Sequence, residues 1–309
     1  MSHTVENCYI SKIVTGIFLC LLLLGALLLT RYNFRHNRGD RRGAFRLAAF
    51  IFSARLLGWL FGANHTPNLF AEMYSFFWLA VSQALFLAGV CWVLYIALEP
   101  YVRRRWPVVL ISWNRVLNGS LRDPLVSRDV LIGILFSAGL GTLDLLKTLL
   151  TKDFVDMGNF ARDGLPDMRF LIASRFSGVS TITLVLLIYL FLLFVLRTLT
   201  RRQWLAAVIV VLLGCLLGLS ASGSPLIGAL SNGINFLLIL TIMLRFGFFA
   251  LAVYVNVDGL LSYPMTLHFS AWYTGPALLL AGAVLALAAY AFHTSLGGQK
   301  VFAGKLLED

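Results

Sequence analysis

Apolar runs of about twenty residues, separated by short arginine-rich loops, recur from one end of the chain to the other. About 20 consecutive apolar residues cross a bilayer core roughly 30 Å thick. Lipid offers backbone N–H and C=O groups no partner, so runs this long and continuous must be helices rather than barrel strands. The expected spans are 13–30, 47–63, 74–98, 130–150, 179–196, 205–220, 226–244 and 272–292. The apolar segment 246–261 either extends the seventh span or crosses separately, which gives eight or nine helices. The fold class is therefore all-α, a polytopic transmembrane bundle forming a single integral membrane domain over residues 1–309.

Composition agrees. The chain is 59% hydrophobic and 13% charged, where a soluble domain is about 45–50% apolar and about 25% charged. The net charge of +11 does not mark a nucleic-acid binder. Its arginines sit in short loops between apolar runs, where the positive-inside bias puts them. Cys8, Cys20, Cys91 and Cys215 are scattered and form no metal-type spacing.

Orientation follows from charge. Glu6 offsets Lys12 ahead of the first run, and Arg31, Arg35, Arg38, Arg41 and Arg42 follow it. A secretory signal has the reverse order, so the first run reads as an uncleaved anchor with its N-terminus outside. In that orientation the inner loops carry fifteen arginines: the five just named, Arg46, Arg103, Arg104, Arg105, Arg115, Arg122, Arg128, Arg197, Arg201 and Arg202. The outer segments up to the sixth span carry five cations, Lys12, Lys152, Arg162, Arg169 and Arg175. This balance predicts a multi-pass protein of the cell (inner) membrane with an extracytoplasmic N-terminus. Lys300 and Lys305 lean the C-terminus inward, and hence towards nine crossings.

The loop 99–129 holds the densest set of unusual residues. Trp106, Val109, Leu110, Trp113, Val116 and Leu117 share one face at helical spacing, with Ser112, Arg115 and Asn118 largely opposite. Pro107 suits a first helical turn. A short helix lying in the cytoplasmic interface, with both indoles at headgroup depth, is expected. Arg103, Arg104, Arg105, Trp106, Trp113, Arg122, Asp123, Arg128 and Asp129 are the candidate cytoplasmic contact residues. The outer loop 151–175 carries Asp153, Asp156, Asp163 and Asp167 without the spacing of a calcium loop.

Ionisable residues at membrane depth are functional candidates by default. Arg55, Asp144, Lys147 and Asp258 qualify. Asp144 and Lys147 share a helix face, and Asp258 is a partner for either Arg55 or Arg245. Gly214, Gly218 and Ser222, and separately Gly275, Gly282 and Ala286, form small-residue stripes of the kind that let helices approach. They indicate bundle packing, with homodimerisation as the lesser reading. No GxSxG, HExxH, Walker or kinase motif occurs. No catalytic, cofactor or metal residue is assigned.

Three strings carry a resemblance. Gly39-Asp40-Arg41-Arg42-Gly43-Ala44-Phe45-Arg46, Leu98-Glu99-Pro100-Tyr101-Val102-Arg103-Arg104-Arg105-Trp106-Pro107 and Arg122-Asp123-Pro124-Leu125-Val126-Ser127-Arg128-Asp129 resemble the membrane-embedded C-terminal region of a group of bacterial serine/threonine protein kinases. Phe269-Ser270-Ala271-Trp272-Tyr273 and Thr294-Ser295-Leu296-Gly297-Gly298-Gln299 are similar to its ending. In that family a cytoplasmic kinase domain precedes the membrane region. These residues contain no kinase motif, so the resemblance implies a signalling context and no phosphotransfer by this polypeptide. The expected function is a sensor, anchor or partner-binding membrane module. Its expected partners are anionic lipid headgroups and a kinase or other signalling protein. A small-solute transporter or channel is the alternative.

Overall fold

A computed structural model describes residues 2–151, 168–219, 225–263, 270 and 274–297, with side chains from residue 16 onward except at 147, 148, 150 and 151. Among these residues every regular element is a helix. Seven helices are long and apolar enough to cross a membrane, and the chain is a multi-pass membrane protein by that measure.

The elements are α1 (Ser2–Arg35), α2 (Arg41–Gly62), α3 (Leu69–Tyr74), a π-helical stretch (Ser75–Val81) that runs on into α4 (Ser82–Arg105), and α5 (Pro107–Leu117). They continue as α6 (Pro124–Thr151), α7 (Met168–Thr200), α8 (Gln203–Leu219), α9 (Pro225–Arg245), α10 (Phe248–Leu261) and α11 (Thr274–Ser295). The short members α5, α8 and α10 fall below the length of the seven.

Local chemistry sets the boundaries. Asp40 caps α2 by accepting from Gly43 N at 2.9 Å, and Asn68 caps α3 through Phe70 N at 3.0 Å. Pro107, Pro124 and Pro225 open their helices, where a missing N–H costs nothing. Helix α5 closes with Ser120 N donating to Arg115 O and Gly119 N to Val116 O, both at 2.9 Å, around Gly119 at φ +84. That pairing is the Schellman arrangement. Asn37, at φ 50, closes α1 in the same way.

Packing pairs α8 with α9, α10 with α6, and α2 with both α7 and α4. Close approach explains two of these pairs. A Cβ on Gly218 of α8 would lie 2.3 Å from the Gly228 carbonyl of α9, and one on Gly133 of α6 would lie 2.7 Å from Val253 of α10. The second small-residue stripe differs from expectation, because a Cβ on Gly275 or Gly282 would meet nothing within 4 Å among the described residues. The core centres on Leu47, Ile51, Tyr95, Leu98, Leu190 and Tyr254. Outside it runs a belt of exposed aliphatics such as Leu135, Leu212, Leu216 and Leu285, a surface suited to hydrocarbon rather than water.

The bundle has two chemically distinct ends. One gathers the 36–46 turn, α5, the Arg197–Gln203 turn, Gly247 and the last turn of α11. The other gathers Ala63–Asn68, the start of α7 and the end of α10. The polar contacts below place each.

Candidate functional site

The basic end is built around α5. Tyr95 of α4 donates its hydroxyl to Asn114 Oδ1 at 3.0 Å. Arg46 of α2 donates Nη1 to Leu117 O at 3.2 Å and to Asn118 Oδ1. Gly247, at φ +115, lets the α9–α10 turn press on α5, since a Cβ there would sit 3.2 Å from Val109 O. Three neighbouring elements therefore brace the helix.

The two tryptophans sit inside the protein, not at its surface. Trp106 is 8% exposed and Trp113 is 6% exposed. Trp106 lies under the Arg197 guanidinium, 4.6 Å from ring centroid to Cζ, and its Nε1 donates to Gln203 Oε1 at 3.4 Å. Trp113 meets Phe248 edge to face at 4.7 Å. The sequence expectation put both rings at headgroup depth. The amphipathic stripe is real, but α4, α9 and α10 converge on it and bury it against protein. Ser112, read as opposite to the stripe, is buried as well.

Charge is arranged in two tiers at this end. The outer tier is exposed: Arg103, Arg104, Arg105, Arg122 and Arg128 all face out. The inner tier is acidic and holds the loops. Buried Glu99 accepts from Asp40 N at 3.3 Å and pairs with Arg103 at 2.7 Å. Asp123 caps α6 by accepting from Leu125 N at 2.9 Å and pairs with Arg115. The Leu125 N–H first, and Arg115 after it, hold the Asp123 carboxyl below the usual range. Buried Asp129 accepts from Arg128 at 3.0 Å, while its Oδ2 has no hydrogen-bond partner among the described residues. Each acid thus fixes backbone or one guanidinium and leaves the remaining arginines facing out.

The intramembrane candidates fall into separate places. Half-buried Arg55 donates to Gln83 Oε1 at 3.1 Å, across α2 and α4. Asp258 of α10 and Asp144 of α6 lie close enough for their charges to interact. Asp144 also lines a cleft of about 250 Å³ between α6 and α9. The two carboxylates carry like charge, so Asp144 is a neighbour of Asp258 and not its counter-ion, and Arg245 ends α9. Nearby, Arg175 donates to Gly259 O at 2.8 Å and Tyr254 to Asn235 Oδ1 at 3.0 Å. The Lys147 side chain and the acidic residues of 152–167 lie outside the described residues.

One residue escaped sequence reading. Asn33 of α1 is fully buried and donates Nδ2 to Ile96 O at 2.9 Å. A lone Asn in the Arg-rich boundary after the first span gave no signal. Pro100, whose missing N–H leaves that carbonyl unpaired, was the available clue.

Comparison with protein-family models, curated proteins and solved structures returned no match to this chain.

Proposed function

We propose that the chain is an integral membrane module of a signalling system, serving as sensor, anchor or partner-binding unit without a catalytic domain of its own. The basic end is its cytoplasmic contact face. Nine crossings, with the N-terminus extracytoplasmic, join α8 and α10 to the seven longer helices. That path alternates between the two ends at every turn and leaves each arginine-rich turn on one side, as the positive-inside bias requires. The inner membrane of a bacterial cell is the corresponding location.

The observation that carries this reading is the braced helix α5 ringed by outward-facing Arg103, Arg104, Arg105, Arg122 and Arg128. A loop serving only as a tether has no need of three bracing elements. Rigid support with exposed guanidiniums, of which Arg103 and Arg128 are also held by Glu99 and Asp129, suits contact with anionic headgroups or an acidic protein surface. The serine/threonine-kinase context rests on the string resemblance alone.

The test is affinity purification of the full chain from crosslinked membranes, with and without R103A/R104A/R105A. The expected result is loss of a defined partner at unchanged membrane level. An unchanged partner set contradicts the contact-face reading.

The second reading, a small-solute transporter or channel, is favoured by two neighbouring carboxylates at membrane depth, Asp144 on α6 and Asp258 on α10, the first of them lining the α6–α9 cleft. Solute or proton flux into proteoliposomes that falls in both D144N and D258N supports it. Flux equal to protein-free vesicles removes it.

A further inference from the structure

A groove of about 410 Å³ runs between α2, α5, α7, α10 and α11, within the roughly 300–1,000 Å³ typical of binding sites. Its α10 wall extends from Phe249 to Leu260, about 16 Å at 1.5 Å per residue. Leu47, Phe50 and Val257 are representative of the lining. Of its uncharged polar side chains, Thr183 and Asn256 bond back to their own helices, while the Trp113 Nε1–H has no acceptor among the described residues. Thr183 Oγ1 donates to Val179 O at 2.8 Å, and Asn256 Nδ2 donates to Ala252 O at 2.7 Å. A polar solute therefore meets one free N–H in an otherwise apolar wall.

Charge enters at one end only. Arg46 is the one charged lining residue, and it sits beside α5 at the basic end. Its bonds to Leu117 and Asn118 both use Nη1, so Nε and Nη2 have no hydrogen-bond acceptor among the described residues. At the opposite flank the groove is bordered by Leu287 of α11, which is 38% exposed, so an occupant enters sideways from the hydrocarbon. A partner helix would leave the Arg46 guanidinium facing hydrocarbon, whereas a lipid brings its own phosphate to that level.

We propose that this groove holds one acyl chain of an anionic phospholipid, with its phosphate on the free edge of the Arg46 guanidinium. The occupant is defined by the lining: a largely apolar groove, open to the bilayer, with one cation at headgroup level. Guanidinium and phosphate match as a charge-assisted, two-pronged pair. This goes beyond the surface-contact reading, because Arg46 lies apart from the Arg103–Arg105 triplet and acts through a single bound lipid.

The test is native mass spectrometry of the purified full chain. It is offered equal amounts of phosphatidylglycerol and phosphatidylcholine with identical tails. The expected result is one retained lipid, with phosphatidylglycerol favoured roughly tenfold, as one charged hydrogen bond supplies. R46Q brings the preference to parity while one lipid is still retained. L287W fills the slot from its exposed border and loses the lipid. V116W fills it from the mouth and serves if L287W does not fold. R103A/R104A/R105A keeps both retention and preference, which separates this site from the contact face. Wild-type retention without headgroup preference, R46Q with the preference intact, or retention surviving in a folded slot-filling variant each overturns the proposal.

Discussion

Asn33 donates its side-chain amide to the carbonyl of Ile96, 63 residues away, at 2.9 Å. That carbonyl lies one turn before Pro100 inside α4, and proline supplies no N–H to it. In lipid an unpaired carbonyl has no water to turn to. The same amide reaches Ala97 O at 3.3 Å, and Thr30 donates to Val93 O at 2.9 Å on the same seam. The break in α4 and its repair on α1 position the loop that leads to α5.

Asn33→Ala is therefore expected to destabilise the bundle by about 1–3 kcal/mol, the cost of an orphaned buried acceptor. The check is thermal unfolding in detergent, run as a double-mutant cycle with Pro100→Ala. Restoring the N–H at position 100 gives Ile96 a helical partner, so Asn33→Ala costs less in that background. Equal costs in both backgrounds contradict the repair.

Gly218 and Gly282 lie on apolar helices in similar sequence settings, yet they meet different surroundings. A Cβ at 218 would collide with the Gly228 backbone, whereas one at 282 meets nothing within 4 Å. Gly218→Ala is expected to cost about 1–3 kcal/mol through overpacking of α8 against α9. Gly282→Ala leaves the melting temperature unchanged. Measuring both in the same detergent decides the point, and equal effects contradict the α8–α9 contact.

Asp123 carries a pH dependence of known sign. Its folded-state carboxyl titrates below the ordinary range, held down first by Leu125 N–H and then by Arg115. A depressed carboxyl contributes stability above its unfolded value, near 3.9, and loses it as pH falls through the folded value. The gap in melting temperature between wild type and Asp123→Asn is expected to be present at neutral pH and to close under acid. A gap that widens on acidification contradicts the assignment.

The readable and unreadable parts of this protein divide along one physical line. Hydropathy and Pro107 act within a few residues, so the long spans and short helix α5 follow from the chain itself, while the starts of α2 at Arg41 and α6 at Pro124 lie six residues ahead of the apolar runs. What lies between distant residues does not follow in this way. Nothing near Arg55 names Gln83 as its partner, and nothing near Asp258 says that a second carboxylate, Asp144, is its neighbour. The aromatic stripe of α5 shows why. Periodicity establishes that Trp106 and Trp113 share a buried face, but lipid and protein are equally apolar, so the pattern is the same for either cover. Only the convergence of α4, α9 and α10 decides it. The small-residue stripes on α8 and α11 make the same point: one is filled by a neighbour, and the other meets none among the described residues.

In the proposed orientation the Arg103–Arg128 end faces the cytoplasm and the Ala63–Asn68 end faces out. Single cysteines at Arg104 and Thr66, in a background with Cys8, Cys20, Cys91 and Cys215 replaced by serine, test it with a membrane-impermeant maleimide. In intact spheroplasts position 66 is expected to label at once, and position 104 only after the membrane is permeabilised. Labelling of position 104 in intact spheroplasts, with position 66 protected, would reverse the bundle and contradict the account.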